Sequence, residues 1–369
     1  MDQPEHAVAA VTHPDPYPYY AGLVAKRPFQ RDDTLGLWVA ASAAAVTAVL
    51  TSEVCRVRPA AEPVPKALMG TAAGDVFARM VRMNDGAYHV RMKPSVSATV
   101  AMLDPGLVAR HADAAAQTLA AELEPGLHPA RIGDFAFRLP PYVVGALLGL
   151  APDGLPAIAA SAGDFVRGIA PGATADEVDR GAGAARALGQ AVRTLPRYAH
   201  ASDESVANVV GFFWQSYEAT AALLGNTLLA LARHAHVRDL ARDPAALRAV
   251  AAEVARHDAP VQNTRRFVAA AGVVAGQAMK EGDTVLVLLA AANRDPAVND
   301  DPARFDPARR ERRTFTFGFG PHACPGETLA VTIAAAGVAR LLATGVDPER
   351  VAASYTYRPS MNIRMPRFT

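Results

Sequence analysis

Two residues in "GFGPHACPGE" could do chemistry at short range: Cys324 and, two positions before it, His322. A cysteine offers a thiolate, a soft metal donor and a strong nucleophile, and an imidazole can serve as base, ligand or hydrogen-bond donor. The setting is unusual for a structural thiol. Gly318, Gly320, Pro321, Pro325 and Gly326 interrupt any regular element, and an apolar run with helical spacing, "ETLAVTIAAAGVARLLATG", follows directly. A zinc site would need about four ligands, yet the chain has no CxxC or HExxH pair. A cysteine nucleophile would take His322 as its base, which the spacing neither requires nor forbids. A dinucleotide-binding turn would read Gly318 to Ala323 as GxGxxA after the strand-like "TFTF". Only about fifty residues remain after it, too few for crossover units of about 30 residues each.

A fourth chemistry uses every residue of the loop: a thiolate ligand for heme iron. Glycines let backbone pass close to a flat macrocycle, a histidine can meet a propionate, and Phe317 can shield the sulfur. Phe317, Gly318, Gly320, His322, Cys324 and Gly326 reproduce the pattern F-G-x-G-x-H-x-C-x-G. In this the sequence resembles the cytochrome P450 superfamily of the bacterial soluble type. The resemblance extends from "HPDPYPYY" to "RPSMNIRMP", nearly the whole chain. It implies a mainly α fold with a small β-sheet region, one heme-thiolate domain over residues 1–369, heme b as cofactor and Cys324 as axial ligand.

Further residues stand where the family's pattern puts them. Glu253 and Arg256 in "VAAEVARHDAPVQ" match its ExxR pair, and residues three apart on a helix share a face; Arg304 in "DPARF" matches the third member of that ion-pair network. Heme propionates need cations or donors inside an apolar pocket. His89 and Lys93 match an H-x-x-x-R pattern, with an ammonium in place of the forked guanidinium, and Arg266, beside Arg265, supplies another cation.

The long apolar run "GFFWQSYEATAALLGNTLLAL" resembles the helix that crosses the oxygen-binding face of the heme. Its usual pattern is [AG]-G-x-[DE]-T-[TS]; here the residues are Gln215, Ser216, Tyr217, Glu218, Ala219 and Thr220. Glu218 keeps the acid, but Ala219 replaces the threonine that organises proton delivery, and a methyl group can neither donate a proton nor hold a water. Thr220 lies about 100° further around the helix. Gln215, one turn before Ala219 on the same face, has an amide that both donates and accepts. Three routes follow: Gln215 with a water replaces the threonine, a polar group on the substrate does so, or the enzyme uses peroxide or a non-hydroxylating chemistry. Gln215 and Ala219 packing beneath a water-excluding substrate, and a heme sensor without turnover, are the blander readings.

Pro325 has no N–H to give the sulfur, which points to an electron-rich thiolate unless the proline only shapes the turn. The family reaction implies a small organic substrate, dioxygen or peroxide, and electrons from a separate ferredoxin or flavodoxin. Arg309, Arg310, Arg312 and Arg313, just before the cysteine loop, form a candidate docking patch for such an acidic carrier.

The elements that must position these residues are mostly helical. "GLVARHADAAAQTLAAEL", "SVANVVGFFWQSYEATAALLGNTLLALARHA" and "PAALRAVAAEVARH" carry apolar residues at three- and four-residue intervals. "LGLWVAASAAAVTAVL" reads as a strand entering a buried helix, and "NTRRFVAAAGVVAGQAMKEGDTVLVLL" as strands turning at Gly276 and at Glu281-Gly282. Substrate-pocket walls are expected from residues 60–82, 160–185, the oxygen helix and Val261 to Thr264, with the stretch 165–205 short for the family. Apolar residues make up 51 % of the 369-residue chain, and 37 Lys plus Arg balance 36 Asp plus Glu. Neither nucleic acid nor an anionic membrane is suggested as a partner. The two cysteines and the absence of a signal-peptide pattern suggest a cytoplasmic protein.

Overall fold

The computed structural model describes residues 3–369. The first half of the chain runs through helices α1 (Tyr17–Lys26), α2 (Ala43–Thr51), α3 (Ala72–Arg79), α4 (Gly86–Ala101), α5 (Pro105–Leu123), α6 (Ile132–Leu148), α7 (Leu155–Gly168) and α8 (Ala175–Arg193). Then come α9 (Asp203–Arg233), α10 (Pro244–His257), α11 (Leu289–Asn293), α12 (Glu327–Ala343) and α13 (Pro348–Ala352). Strands are short: β1 (Phe29–Asp32), β2 (Leu37–Ala40), β3 (Cys55–Arg56), β4 (Thr264–Val268), β5 (Gly272–Val274), β6 (Gln277–Met279), β7 (Thr284–Val287), β8 (Tyr355–Tyr357) and β9 (Pro366–Phe368).

α9 is the axis of the molecule. Its 31 residues extend over roughly 45 Å at 1.5 Å per residue. The Ser202 hydroxyl caps its start by accepting the Ser205 N–H, and from Thr220 to Leu231 its side chains are buried. This half packs with α5, α6, α10 and α12 in one apolar core. Alanines and glycines let these helices approach closely: a Cβ on Gly337 of α12 would lie 2.5 Å from Leu224 and 2.7 Å from Leu139. The other half of α9 meets α3, α7 and α8 in a second core around Phe165, Leu188 and Phe213.

The strands form a five-stranded sheet in the order β1-β2-β7-β4-β3. β2 and β7 pair in parallel, Trp38 opposite Val285, so the amino-terminal strands join those after α10. β2 leads into α2, as its sequence predicts, and turns at Gly276 and Gly282 separate β5, β6 and β7. The strand expected at "TFTF" is absent. Asn293 takes the place of a neighbouring strand there: its amide oxygen accepts the Phe315 N–H at 2.6 Å and its Nδ2 donates to the Thr316 hydroxyl at 2.8 Å.

The stretch 165–205 holds the end of α7, all of α8 and the start of α9, and α7 and α8 are in close contact. A Cβ on Gly168 of α7 would lie 2.7 Å from the Cα of Gly181 on α8, so the two backbones touch. Nine residues of turns then lead from α8 into α9.

Candidate functional site

The cysteine loop is held by its own backbone. Gly318 N–H donates to the Phe315 carbonyl at 2.7 Å and Cys324 N–H to the Phe317 carbonyl at 2.8 Å. Gly318 and Gly320 adopt φ of 74° and 69°, a region in which a side chain is strained. A Cβ on Gly320 would also meet Thr51 of α2 at 3.0 Å. The glycine there makes room for α2 and not only for a macrocycle. Gly326 has an ordinary φ of −96° and starts α12; its N–H reaches back to Cys324 Sγ at 3.3 Å. Pro325 therefore does not leave the sulfur without donors. The Phe317 ring packs on the helical core.

Cys324 is exposed although protein surrounds its loop closely. Burial pushes its thiol up; the Gly326 N–H, Lys93 and Arg82 oppose that shift. Of the expected cations, Lys93 is beside the loop. Lys93 Nζ on α4 donates to the Ala323 carbonyl at 2.7 Å. Arg266 on β4 is buried, has no carboxylate partner among the ion pairs of the described residues and has its pKa lowered to about 10 by burial. His89 is buried with its ring 4.2 Å from that of His322, and its Nε2 has no partner. Burial, then His322 and Lys93, lower its pKa to about 4.

His322 departs from the expectation. Its Nε2 lies 2.9 Å from Asp85 Oδ1, while Asp85 Oδ2 accepts the Val57 N–H. Only Nδ1 is left to meet a propionate. Asp85, four residues before His89, escaped the sequence reading because an acid in a propionate pocket runs against charge logic.

Behind the loop, Arg256 and Glu253 are fully buried, with Arg256 Nη2 2.6 Å from Glu253 Oε1. Arg304 does not complete this cluster with its side chain, which is 68 % exposed; only its carbonyl accepts from Arg256. Arg312 does, with Nε 3.0 Å from Glu253 Oε2, and Arg309 Nε stands 3.6 Å from Oε1. Two of the four arginines assigned to a docking patch are thus turned inward, leaving Arg310 and Arg313 exposed. A carboxylate buried by α10 draws the nearest long cations to it, and sequence order alone does not say which arginine arrives.

On the amino-terminal half of α9, Gln215 is exposed and donates from Nε2 to the Gly211 carbonyl at 2.9 Å. That bond fixes the orientation of the amide, because only its nitrogen can donate to a carbonyl. Oε1 and the second N–H remain for other partners. Ala219 is partly open, one turn further on, and Thr220 is buried. The Glu218 side chain lines a separate cavity of ≈ 440 Å³ with Phe137, Arg167, Tyr217 and Arg358. Burial raises its pKa, with Arg358 opposing.

A thiol near Lys93 and Arg82, with a buried imidazole nitrogen that has no protein partner, suits a metal-bearing macrocycle with acidic side arms. The profile of the family described as Cytochrome P450 matches residues 245–344, which hold nearly all of α10, strands β4 to β7, the cysteine loop and α12. The chain belongs to the cytochrome P450 superfamily.

Cytochrome P450 proteins carry heme, and the residues here suit it. The chain is 38 % identical over 132 residues to the putative cytochrome P450 133B2 of Xylella fastidiosa, covering 35 % of this chain and 32 % of that one. It is 38 % identical over 130 residues to the 6-deoxyerythronolide B hydroxylase of Saccharopolyspora erythraea, again 35 % and 32 %. The matched stretch therefore spans about a third of the length of these curated relatives. Among solved structures, CalO2 is similar over 96 % of both chains at TM-score 0.77 and 25 % identity. P450BioI, solved with a hexadec-9Z-enoic acid-ligated acyl carrier protein, shares the fold over 95 % of this chain and 96 % of its own at TM-score 0.76 and 22 % identity. No helix among the described residues is long and apolar enough to cross a membrane.

Proposed function

We propose that the protein is a heme-thiolate monooxygenase that inserts oxygen into a small organic molecule, with heme b held by Cys324 on one face and the substrate bound between the heme and α9. The observation that carries this reading is the exposed Cys324, with Lys93 bonded to the Ala323 carbonyl directly before it and the buried His89 Nε2 left without a partner. Relatives whose names specify a hydroxylase and a 23-monooxygenase support oxygen insertion.

Bound heme would supply the iron that activates oxygen, assisted by electron release from the thiolate. The chain's own residues do the rest. Lys93, Arg266 and His89 would hold the propionates, with His322 contributing through Nδ1. The single Gly326 N–H on Sγ tempers the charge of the sulfur without neutralising it. Glu218, its pKa raised by burial, can hold a proton at its carboxyl and exchange it with water in the adjoining cavity. Gln215 keeps its second N–H and Oε1 for other partners, one turn from the methyl of Ala219, where a hydroxyl would otherwise position water.

Electrons would come from a separate ferredoxin or flavodoxin, and a cytoplasmic location agrees with that supply. A second reading, peroxide-driven or non-hydroxylating chemistry, is favoured by Ala219. Incubating the purified holoprotein with candidate substrates, either with a ferredoxin system and dioxygen or with hydrogen peroxide alone, tests both. Product only with reductant and dioxygen supports the first reading, product with peroxide alone supports the second, and no product under either condition contradicts a catalytic role.

A further inference from the structure

The ≈ 440 Å³ cavity beside Glu218 is walled by α6, α7, α9 and the β8–β9 hairpin, and none of Cys324, His322, His89, Lys93 or Arg266 lines it. It is therefore distinct from the cysteine loop. The hairpin wall is fixed in place. Tyr357 pairs with Pro366, and the Arg358 N–H donates to the Met365 carbonyl at 3.0 Å. A Cβ on Gly225 of α9 would lie 2.6 Å from Pro366 Cγ, so the hairpin is pressed onto the helix that carries Glu218.

Four arginines and two acids lie on the wall. Two of the arginines are committed to acids outside it: Arg138 makes two bonds of 2.7 Å to Glu122, and Arg167 pairs with Asp164 at 2.7 Å. The other two, Arg358 and Arg367, form no ion pair or side-chain hydrogen bond among the described residues, and the wall's own acids, Asp134 and Glu218, pair with neither. Arg358 is nevertheless held in position. Its Cζ lies 4.6 Å from the centre of the Phe137 ring, which in turn stacks on Tyr217 at 5.0 Å and 25°. Arg358 and Arg367 are exposed, Phe137 and Tyr217 are half-buried, and Val166, Met365 and Phe368 are buried. The cavity thus runs from a cationic mouth to an apolar floor.

An exposed arginine by itself is satisfied by water. Here two of them border a cavity of the size that small ligands fill, and a guanidinium stacked on an aromatic ring keeps its planar fork of N–H donors aimed for a carboxylate. Glu218 does not oppose an anion: burial raises its pKa, which favours the protonated carboxyl, a hydrogen-bond donor. Gly163 leaves one corner open, since a Cβ there would lie 2.7 Å from the Tyr217 hydroxyl and 3.4 Å from Arg167 Nη1. We infer that this cavity binds a small aromatic carboxylic acid, with its carboxylate on Arg358, Arg367 adding to the positive mouth, and its ring against the Phe137–Tyr217 stack. Binding does not depend on the heme-thiolate reading. On that reading, however, an occupant would separate Glu218 from the water with which it exchanges protons, and so would act as an effector.

The test is a calorimetric titration of the ferric holoprotein with naphthoate, naphthamide, acetate and inorganic phosphate, with heme absorbance followed in parallel. Naphthoate should bind about tenfold or more tightly than naphthamide, as expected for charge-assisted pairing, and more tightly than either small anion. Heme absorbance should not change. Arg358→Gln should abolish the preference for the acid while leaving naphthamide binding within about twofold, and Arg358→Lys should retain part of it. Equal binding of naphthoate and naphthamide, no heat from naphthoate, acetate or phosphate binding as tightly as naphthoate, or a preference that persists in Arg358→Gln overturns the inference. So does a heme band shift that saturates together with the heat, since the acid would then lie beside the heme. The reduced carbon monoxide spectrum separates the two levels: preferential naphthoate binding with an abnormal spectrum upholds the site and refutes the heme-thiolate reading, whereas a normal spectrum without that preference refutes only the site.

Discussion

The ammonium of Lys93 donates to the carbonyl of Ala323 at 2.7 Å, fastening α4 to the residue directly before Cys324. Apart from His89, α4 buries none of its residues fully, so this bond and the His322–Asp85 contact hold it to the loop. Lys93→Met should release heme to apomyoglobin about tenfold faster and lower stability by about 1.5–3 kcal/mol, the range of a hydrogen bond to a charged donor. Lys93→Arg should recover most of the loss. Equal heme release from wild type and Lys93→Met would show that the contact does not hold the site.

The Glu253 cluster predicts a contrast between two arginines close in sequence. Arg312→Gln removes a cation bonded to a fully buried carboxylate and should cost about 1–3 kcal/mol, visible in denaturant midpoints and in heme retention. Arg304→Gln, at an exposed side chain, should stay within about 0.5 kcal/mol of wild type. The reverse order would restore Arg304 as the third member.

Acid should loosen the fold before it protonates most carboxylates. His257 is held neutral: burial, reinforced by Arg294, lowers its pKa to about 3. An unfolded histidine takes up its proton near pH 6.5. Below that pH the unfolded chain binds a proton that the folded one does not, so stability falls from about pH 6.5 towards 3. Between pH 7 and 5 this linkage is worth about 2 kcal/mol. Asp258 extends the effect at lower pH. Burial would raise its pKa, but Arg364 and Arg233 override that and hold it at about 2, so its contribution is complete above the ordinary carboxylate range and is lost as pH falls through it. Urea midpoints at pH 7 and pH 5 should differ less in His257→Gln than in wild type; an unchanged difference would exclude His257.

On the oxygen helix, the fixed amide of Gln215 makes coupling the sensitive quantity. Gln215→Ala should lower product formed per reductant consumed several-fold, and Ala219→Thr should raise it. Gly211→Ala tests the placement independently, because its Cβ would lie 3.1 Å from Met80 Sδ and 3.2 Å from Gln215 Nε2; it should reproduce the Gln215→Ala loss in part. Coupling that ignores all three substitutions would assign Gln215 to packing alone.

Residue type and spacing were most informative where chemistry and local backbone coincide. The cysteine loop, Glu253 with Arg256, and the helix carrying Gln215 to Thr220 were legible because each is a short, contiguous pattern. Helices α5, α9, α10 and α12 follow their apolar periodicity almost to the residue. Long-range choices were not legible. Arg312 rather than Arg304 reaches Glu253 because of how the loop after α11 turns, Asp85 meets His322 from 237 positions away, and Asn293 replaces a strand beside Phe315.

The most direct test of the central assignment is the absorbance of the dithionite-reduced carbon monoxide complex of the holoprotein and of Cys324→Ser. Thiolate ligation by Cys324 predicts a strongly red-shifted Soret band in wild type that is lost in the variant, with heme still bound through the Lys93, Arg266 and His89 contacts. A wild-type band at the position given by histidine-ligated heme, or a red-shifted band that survives in Cys324→Ser, would contradict it.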